Sequence, residues 1–237
     1  MINKLKLRHF IVVYPSLWII YCIFELMSGN IKNLYSIVMN LIPALLLCII
    51  SYLFYLYYKK SIFLKTKGLI FSVSSLFLID QISKIVVSSI FKAKNISTFK
   101  VIPNYFYITP YINDKGSFVA SRFNIDAPFI IFTIFNFLIL LLIFWIYKFK
   151  LHKKQINSIE QISFIFLFSG GLCSFIDKVF WGGSLDFLHV NNLFIADIKD
   201  IFITLGLASF ILSSIISNDQ INLKEFLNFT FKSKISK

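Results

Sequence analysis

The sequence predicts a mainly α-helical, polytopic membrane protein: six transmembrane helices, read as a four-helix core behind an N-terminal helical hairpin, with a small β-cradle at the outer face. Three observations carry that expectation. Hydrophobic residues make up 57% of the 237-residue chain, mean hydropathy is +0.78, and the apolar residues gather in long, nearly uncharged runs; a spanning helix needs roughly 20 such residues. Lys and Arg concentrate in alternate connecting segments. One connecting segment, about 92–128, has the aromatic, β-branched and turn-forming composition of short strands.

Taken in order, the first run is 10–24, preceded by Lys4, Lys6 and Arg8. A basic flank resembles that of a secretory signal. The run leads into Glu25-Leu26-Met27, with no small-residue cleavage site, and a second run opens almost at once over 34–58. A retained helix is therefore expected. Residues 1–67 then form a two-helix transmembrane hairpin whose only acid is Glu25, with a scaffold or lipid-facing role. The third run, 68–91, is interrupted by Asp80 and Lys84. In segment 92–128, Pro103-Asn104 and Asn113-Asp114-Lys115-Gly116 supply turns between strand-like stretches. The fourth run, 129–147, ends in Lys148-Phe149-Lys150; the fifth is 161–176; residues 178–199 read as a second outer loop; the sixth run is 201–218. A basic tail, 219–237, closes the chain.

The formal net charge of +13 invites a nucleic-acid partner, but its placement argues against one. With the N-terminus inside, the inner segments hold Lys4, Lys6, Arg8, then Lys59, Lys60, Lys65, Lys67, then Lys148, Lys150, Lys153, Lys154, and the basic tail. The outer ones hold fewer: Lys32, Lys92, Lys94, Lys100, Lys115, Arg122, Lys178 and Lys199. That is the positive-inside pattern, with contact to anionic membrane lipid. Cys22, Cys48 and Cys173 all fall in apolar runs, at spacings that suit neither a metal nor a disulfide framework. No His/Cys cluster suits zinc, and no cofactor or metal is expected.

The same topology brings Asp80, Asp114, Asp126, Asp177, Asp186, Asp197 and Asp200 to the outer face. Carboxylates at a bilayer edge are costly and mark sites of interest. Asp80 and Lys84 are four apart on one helix face, so each offsets the burial cost of the other. Gly170-Gly171 allow a neighbouring helix or ligand to approach closely. Lys178 suits the C-terminal end of the fifth helix, whereas Asp177 opposes the macrodipole and needs a partner. Asp186 follows the Gly182-Gly183 turn, and Asp197 lies eleven positions on, where the last helix starts. Two readings stay open for Asp197: a helix cap, with Asp200 competing for that role, or one half of a carboxyl pair. In such a pair one group ionises and the other keeps its proton, which equips a site for hydrolysis without a metal or nucleophilic side chain. His189, alone in a loop, is weak support for either. The helix dipole makes Asp197 the choice for the ionised member.

In order and spacing, Asp80-Gln81-Ile82-Ser83-Lys84, Asn113 through Phe118, Gly170-Gly171 through Asp177-Lys178, Gly183-Ser184-Leu185-Asp186-Phe187 and Ile195-Ala196-Asp197 resemble the lipoprotein signal peptidase (signal peptidase II) family over the core, 68–218. The resemblance implies an aspartic endopeptidase that cleaves diacylglyceryl-modified bacterial prolipoproteins before the lipidated cysteine. It implies Asp186 and Asp197 as the catalytic pair, with Asp80, Lys84, Asn113, Gly170, Asp177 and Lys178 supporting the site or contacting substrate. The expected location is the bacterial inner membrane, multi-pass, both termini cytoplasmic, the site outside, as a monomer. The chain departs from the family pattern at Cys173-Ser174 in place of Gly-Asn, at Lys178 in place of Arg, at Phe194 in place of Asn and at Lys115 in place of Gly. A catalytically impaired relative that binds lipoprotein or lipid, and a small proton-coupled transporter, are the alternatives.

Overall fold

The structure of the protein is a computed structural model describing residues 5–114, 128–191, 193–216 and 222–232. The described helices are α1 (Leu7–Met27), α2 (Leu34–Met39), α3 (Leu41–Lys59), α4 (Thr66–Lys94), α5 (Phe129–His152), α6 (Ser158–Ile176), α7 (Ile198–Ile216) and α8 (Leu223–Lys232), and α6 runs on as a π-helical turn, Asp177–Trp181. Among the described residues, six stretches are long and apolar enough to cross a membrane, from Leu7–Met27 to Ile198–Ile215. Their outward side chains are apolar and exposed, as on α5, where Ile134, Phe135 and Leu138 point away from the protein. This is a polytopic membrane protein.

Helix α6 sits at the centre, against α4, α5 and α7. Small residues bring the backbones together. A Cβ on Gly170 would lie 2.6 Å from Ile203 Cγ1, and one on Gly206 would lie 2.7 Å from Leu167 Cγ and 2.8 Å from its backbone nitrogen. In lipid, such close packing holds helices together where the hydrophobic effect does not. Helix α1 packs on α3 and α7, with Tyr14 Oη and Ser209 Oγ 2.7 Å apart in the buried seam.

The run 34–58 was expected to be one helix; it breaks at Asn40, between α2 and α3. Asn40 donates from Nδ2 to Ser36 O (2.8 Å), its carbonyl accepts from Trp18 Nε1 (2.9 Å), and its Oδ1 accepts from Tyr105 Oη (3.1 Å). Pro43, in the first turn of α3, has no N–H for the Met39 carbonyl four residues back and so interrupts a continuous helix; Asn40 ties the break to other elements.

Four antiparallel strands form a sheet in the order β1 (Phe99–Ile102), β2 (Phe106–Asn113), β3 (Ser184–Val190), β4 (Phe194–Ala196). Only β1 and β2 come from segment 92–128. Strands β3 and β4 lie in the stretch expected to be a loop, and β3 is held by its register on β2, with Ser184 opposite Asn113 and Asp186 opposite Tyr111. The remainder of the segment, including Lys115 and the 116–118 part of the Asn113 motif, Arg122 and Asp126, lies outside the described residues. One end of the N-terminal helices meets this sheet: Tyr35 Oη donates to Pro103 O at 2.8 Å, and Phe194 lies edge-on to Trp18 and Tyr21. The Phe194 departure is thus a contact with the N-terminal helices. On α8, Phe226 and Phe229 pack on Phe149.

Candidate active site

Four elements converge where the sheet meets the helix ends. Helix α4 brings Asp80, Gln81 and Lys84; the π turn brings Asp177; β3 brings Ser184 and Asp186; the start of α7 brings Asp197, Lys199 and Asp200. Lys84 Nζ lies 2.7 Å from Asp80 Oδ2, 2.5 Å from Asp177 Oδ2 and 2.8 Å from Asp197 Oδ2, and is 2% exposed. The Asp80–Lys84 pair read from sequence is therefore the base of a larger cluster, and Asp177 finds the partner it required. Gln81 Nε2 donates to Asp80 Oδ2 and Asp177 Oδ1, each at 3.0 Å. Asp80 Oδ1 accepts the backbone N–H of Lys199 at 3.0 Å, which ties α4 to the first turn of α7.

Asp197 is a helix cap. Its Oδ1 accepts from Asp200 N at 3.3 Å while its own N–H donates to Asp200 Oδ2 at 3.0 Å, a reciprocal arrangement of the capping-box kind. The cap leaves Oδ2 to face the cluster, so capping does not exclude pairing. Carboxylate oxygens of Asp186, Asp197 and Asp200 lie within 4.8 Å of one another. Ser184 Oγ stands between the pair, 2.6 Å from Asp186 Oδ1 and 3.2 Å from Asp197 Oδ2. Its single proton serves one acceptor at a time, and Asp186 is the nearer. Asn113 Nδ2 donates to Asp186 Oδ2 at 3.2 Å, placed there because Gly183 lets β3 close on β2: a Cβ on Gly183 would lie 2.9 Å from Asn113 O. Asn113 Oδ1 is buried without a hydrogen-bond partner among the described residues.

Lys199 was counted in the sequence only as an outer-loop charge. It is 5% exposed. Its Nζ donates to Asp197 Oδ2, and to Ser184 Oγ at 2.5 Å, and lies 3.5 Å from Asp177 Oδ2 and 3.6 Å from Asp186 Oδ1. A lysine in the first turn of a helix opposes the macrodipole, and that local conflict was the available signal. Ser184 and Gln81 carried no such mark. Asp80, Asp177 and Asp197, and likewise Asp186, Asp197 and Asp200, are close enough to hold a cation; Lys84 lies among the first group, and Lys199 lies against Asp186 and Asp197 of the second.

The two candidate acids differ in proton affinity. Burial pushes the Asp186 carboxyl above the ordinary range and the Asp197 charge adds to this, against Lys199, Ser184 and Asn113. For Asp197, burial also acts upward, but the ammonium groups of Lys199 and Lys84 outweigh it and hold the carboxyl below the ordinary range. The asymmetry expected from the helix dipole has the lysines as its main source. Lys178 turns back to Ser174 Oγ at 2.7 Å, which also accepts from Asn136 Nδ2 at 2.7 Å, so the Ser174 and Lys178 departures contact each other. Gly170 lies behind the cluster, against Ile203 and Lys199 O. His189 packs on the Tyr107 ring.

Residues 72–216, from within α4 to the end of α7, match the family model described as Signal peptidase (SPase) II. The chain belongs to the signal peptidase II family. The match takes in every residue of the cluster and leaves out α1–α3 and α8. Among curated relatives, the lipoprotein signal peptidase of Staphylococcus aureus (strain bovine RF122 / ET3-1) is 29% identical over 150 residues, 62% of this chain and 85% of that protein. The lipoprotein signal peptidase of Microcystis aeruginosa is 26% identical over 139 residues, 58% of this chain and 84% of that one. A bacterial membrane enzyme solved by the in meso method at 1.9 Å superposes with a TM-score of 0.52 at 25% identity, covering 65% of this chain and 96% of that one. Signal peptidase II membership supports a protease, as the carboxyl pair suggested on chemical grounds.

Proposed function

We propose that this protein is an aspartic endopeptidase that removes the signal peptide from diacylglyceryl-modified bacterial prolipoproteins, cutting before the lipidated cysteine. The observation that carries the reading is the Asp186–Asp197 pair, two carboxyl groups within 4.8 Å whose surroundings drive their proton affinities apart. Groups separated in this way take the acid and base roles of one reaction. Family membership and the names of the relatives supply the substrate class.

A water between the two attacks the scissile carbonyl carbon. Asp197, ionised, takes a proton from that water, while Asp186, protonated, donates to the carbonyl oxygen. The tetrahedral intermediate then collapses. The C–N bond breaks, the amine leaves with the proton held by Asp197, and the new carboxyl group returns a proton to Asp186. Asn113 keeps one oxygen of Asp186 in place, and its Oδ1 is free to accept a substrate backbone N–H. Lys84, Gln81, Asp80 and Asp177 hold the start of α7, and so Asp197, in position. The substrate's acyl chains lie in the bilayer against the apolar helices. Lys148, Lys150, Lys153 and Lys154 at the opposite end support, by the positive-inside rule, a reading with both termini in the cytoplasm of a bacterial cell and the site at the outer face of the inner membrane. The enzyme acts as a monomer.

Asp186→Asn and Asp197→Asn would each lower cleavage of a lipidated prolipoprotein by at least about 10²-fold, the usual worth of a general acid or base, with insertion unchanged. Ser184→Ala would slow cleavage, because its hydroxyl bridges Asp186 and Lys199, but would not abolish it, since no serine nucleophile is involved. Full activity in either aspartate variant would overturn the assignment. Product that depends on both aspartates would exclude a relative that only binds lipoprotein.

A further inference from the structure

Lys84 helps to hold the start of α7, whereas Lys199 neither anchors that helix through its ammonium nor moves a proton. Yet Lys199 is the cation nearest the pair, and its placement is lopsided. Its ammonium donates directly to Asp197 Oδ2 but stands 3.6 Å from Asp186 Oδ1. Ser184 Oγ, 2.5 Å from the same ammonium, faces Asp186 at 2.6 Å. Asp186 therefore meets the lysine as a longer ion pair with the Ser184 hydroxyl alongside, and Asp197 meets it by a direct hydrogen bond. Two like carboxyl groups in a symmetric site would share one proton with no fixed owner. Here a fixed cation removes that symmetry.

Resting on the aspartic reading, we propose that Lys199 is a positioning residue for the pair: its ammonium, hydrogen-bonded to Asp197 and held at a longer ion-pair distance from Asp186, makes Asp197 the carboxylate that accepts the proton from water and leaves Asp186 to donate to the carbonyl oxygen. Lys199 itself exchanges no proton in the reaction. The backbone supports the placement, because Lys199 N–H is anchored on Asp80 Oδ1 at 3.0 Å and Gly170 packs against the Lys199 carbonyl, 3.1 Å from where a Cβ would sit. The other charges that face the pair are Asp80 and Lys84 from α4, Asp177 from the π turn and Asp200 from α7, with Lys178 at the end of α6. Lys84, 2.8 Å from Asp197, remains when Lys199 is removed, so the base keeps one cation and loses the other.

The test is the pH–rate profile of purified Lys199→Met, with Lys199→Gln as a second neutral variant and Lys199→Arg as the charge-retaining control. Removing a cation raises the proton affinity of both carboxyl groups, and of Asp197 more. The acid limb, set by Asp197, moves to higher pH by about one unit, the low end of the effect of an opposite charge at this range. The alkaline limb, set by Asp186, moves the same way by less. The neutral variants therefore cleave more slowly than the parent on the acid side and faster on the alkaline side, with KM for the lipidated substrate little changed, and Lys199→Arg restores the parent profile. A neutral variant whose profile is only scaled down, with both limbs unmoved, would overturn the proposal. So would failure of both neutral variants to insert and fold, which would make Lys199 a folding residue. Activity in Asp186→Asn or Asp197→Asn is a separate result and would sink the aspartic reading itself.

Discussion

Two ion pairs in this protein have the same length and opposite settings, and they should behave differently when broken. Lys84 Nζ to Asp80 Oδ2 and Lys153 Nζ to Glu225 Oε2 are both 2.7 Å. Lys84 and Asp80 are 2% and 0% exposed, whereas Lys153 and Glu225 are 39% and 52% exposed. Lys84 also meets Asp177 at 2.5 Å and Asp197 at 2.8 Å. Lys84→Met keeps the length of the side chain and takes the ammonium from three buried carboxylates at once. Removing one partner of a buried pair costs about 3–5 kcal/mol, because the charge left behind is uncompensated. Gln81 still donates to Asp80 and Asp177, which keeps the expected loss inside that range. At about 1.4 kcal/mol per tenfold, the ratio of folded to unfolded protein falls by more than about a hundredfold. Lys153→Met, at the exposed pair, should cost about 0–1 kcal/mol after solvent screening. Denaturant titration of both variants in mixed micelles, followed by tryptophan fluorescence, gives the two values side by side. Equal losses, or a Lys84→Met loss under about 0.5 kcal/mol, would refute the view that burial sets the worth of this cluster.

Other expectations concern the site and its packing. Gly170→Ala puts a methyl 2.6 Å from Ile203 Cγ1 and 3.1 Å from Lys199 O; overpacking of this kind costs about 1–3 kcal/mol, and a thermal melt in detergent should show it together with lower activity, as the start of α7 shifts. In the parent enzyme, the rate should follow a bell in pH. It falls on the acid side as Asp197 gains a proton, below the ordinary aspartate range, and on the alkaline side as Asp186 loses its own, above that range. A profile flat across both limits would contradict the role assignment. Asn113→Ala removes the 3.2 Å donor to Asp186 and the unpartnered buried Oδ1; steady-state kinetics should show KM raised and kcat lowered together.

Most of the helical architecture could be read locally, because a spanning helix announces itself through some 20 apolar residues in a row. The break at Asn40 was missed although it had a local sign: Pro43 has no N–H to give the Met39 carbonyl four residues back. Strands β3 and β4 were hidden. Leu185, Phe187 and Val190 become a strand through pairing with β2, and strand preference depends on such neighbours more than on the residue itself. At the site, Asp80, Lys84, Asp177, Asp186 and Asp197 stood out as charges at a membrane edge, and Asn113, a turn residue by composition, through the family resemblance alone; all six converge. Gly170 and Lys178 stand behind them, with Lys178 turned to Ser174. Lys199 was missed because one charge in a presumed loop carries no local sign of burial, although its place in a helix's first turn was a clue. Ser184 was quoted within a motif without a role, as a hydroxyl gains one only from what folding sets around it.

The aspartic endopeptidase activity is tested by cleavage of a diacylglyceryl-modified prolipoprotein by the purified protein in defined lipid, with the cut site mapped by mass spectrometry. The parent, Asp186→Asn and Asp197→Asn should be compared after each is shown to be inserted. The parent should make a single cut before the lipidated cysteine, and both variants should lose product by at least about 10²-fold. Product from either variant at the parent's rate, or no product from a folded parent, would contradict the assignment.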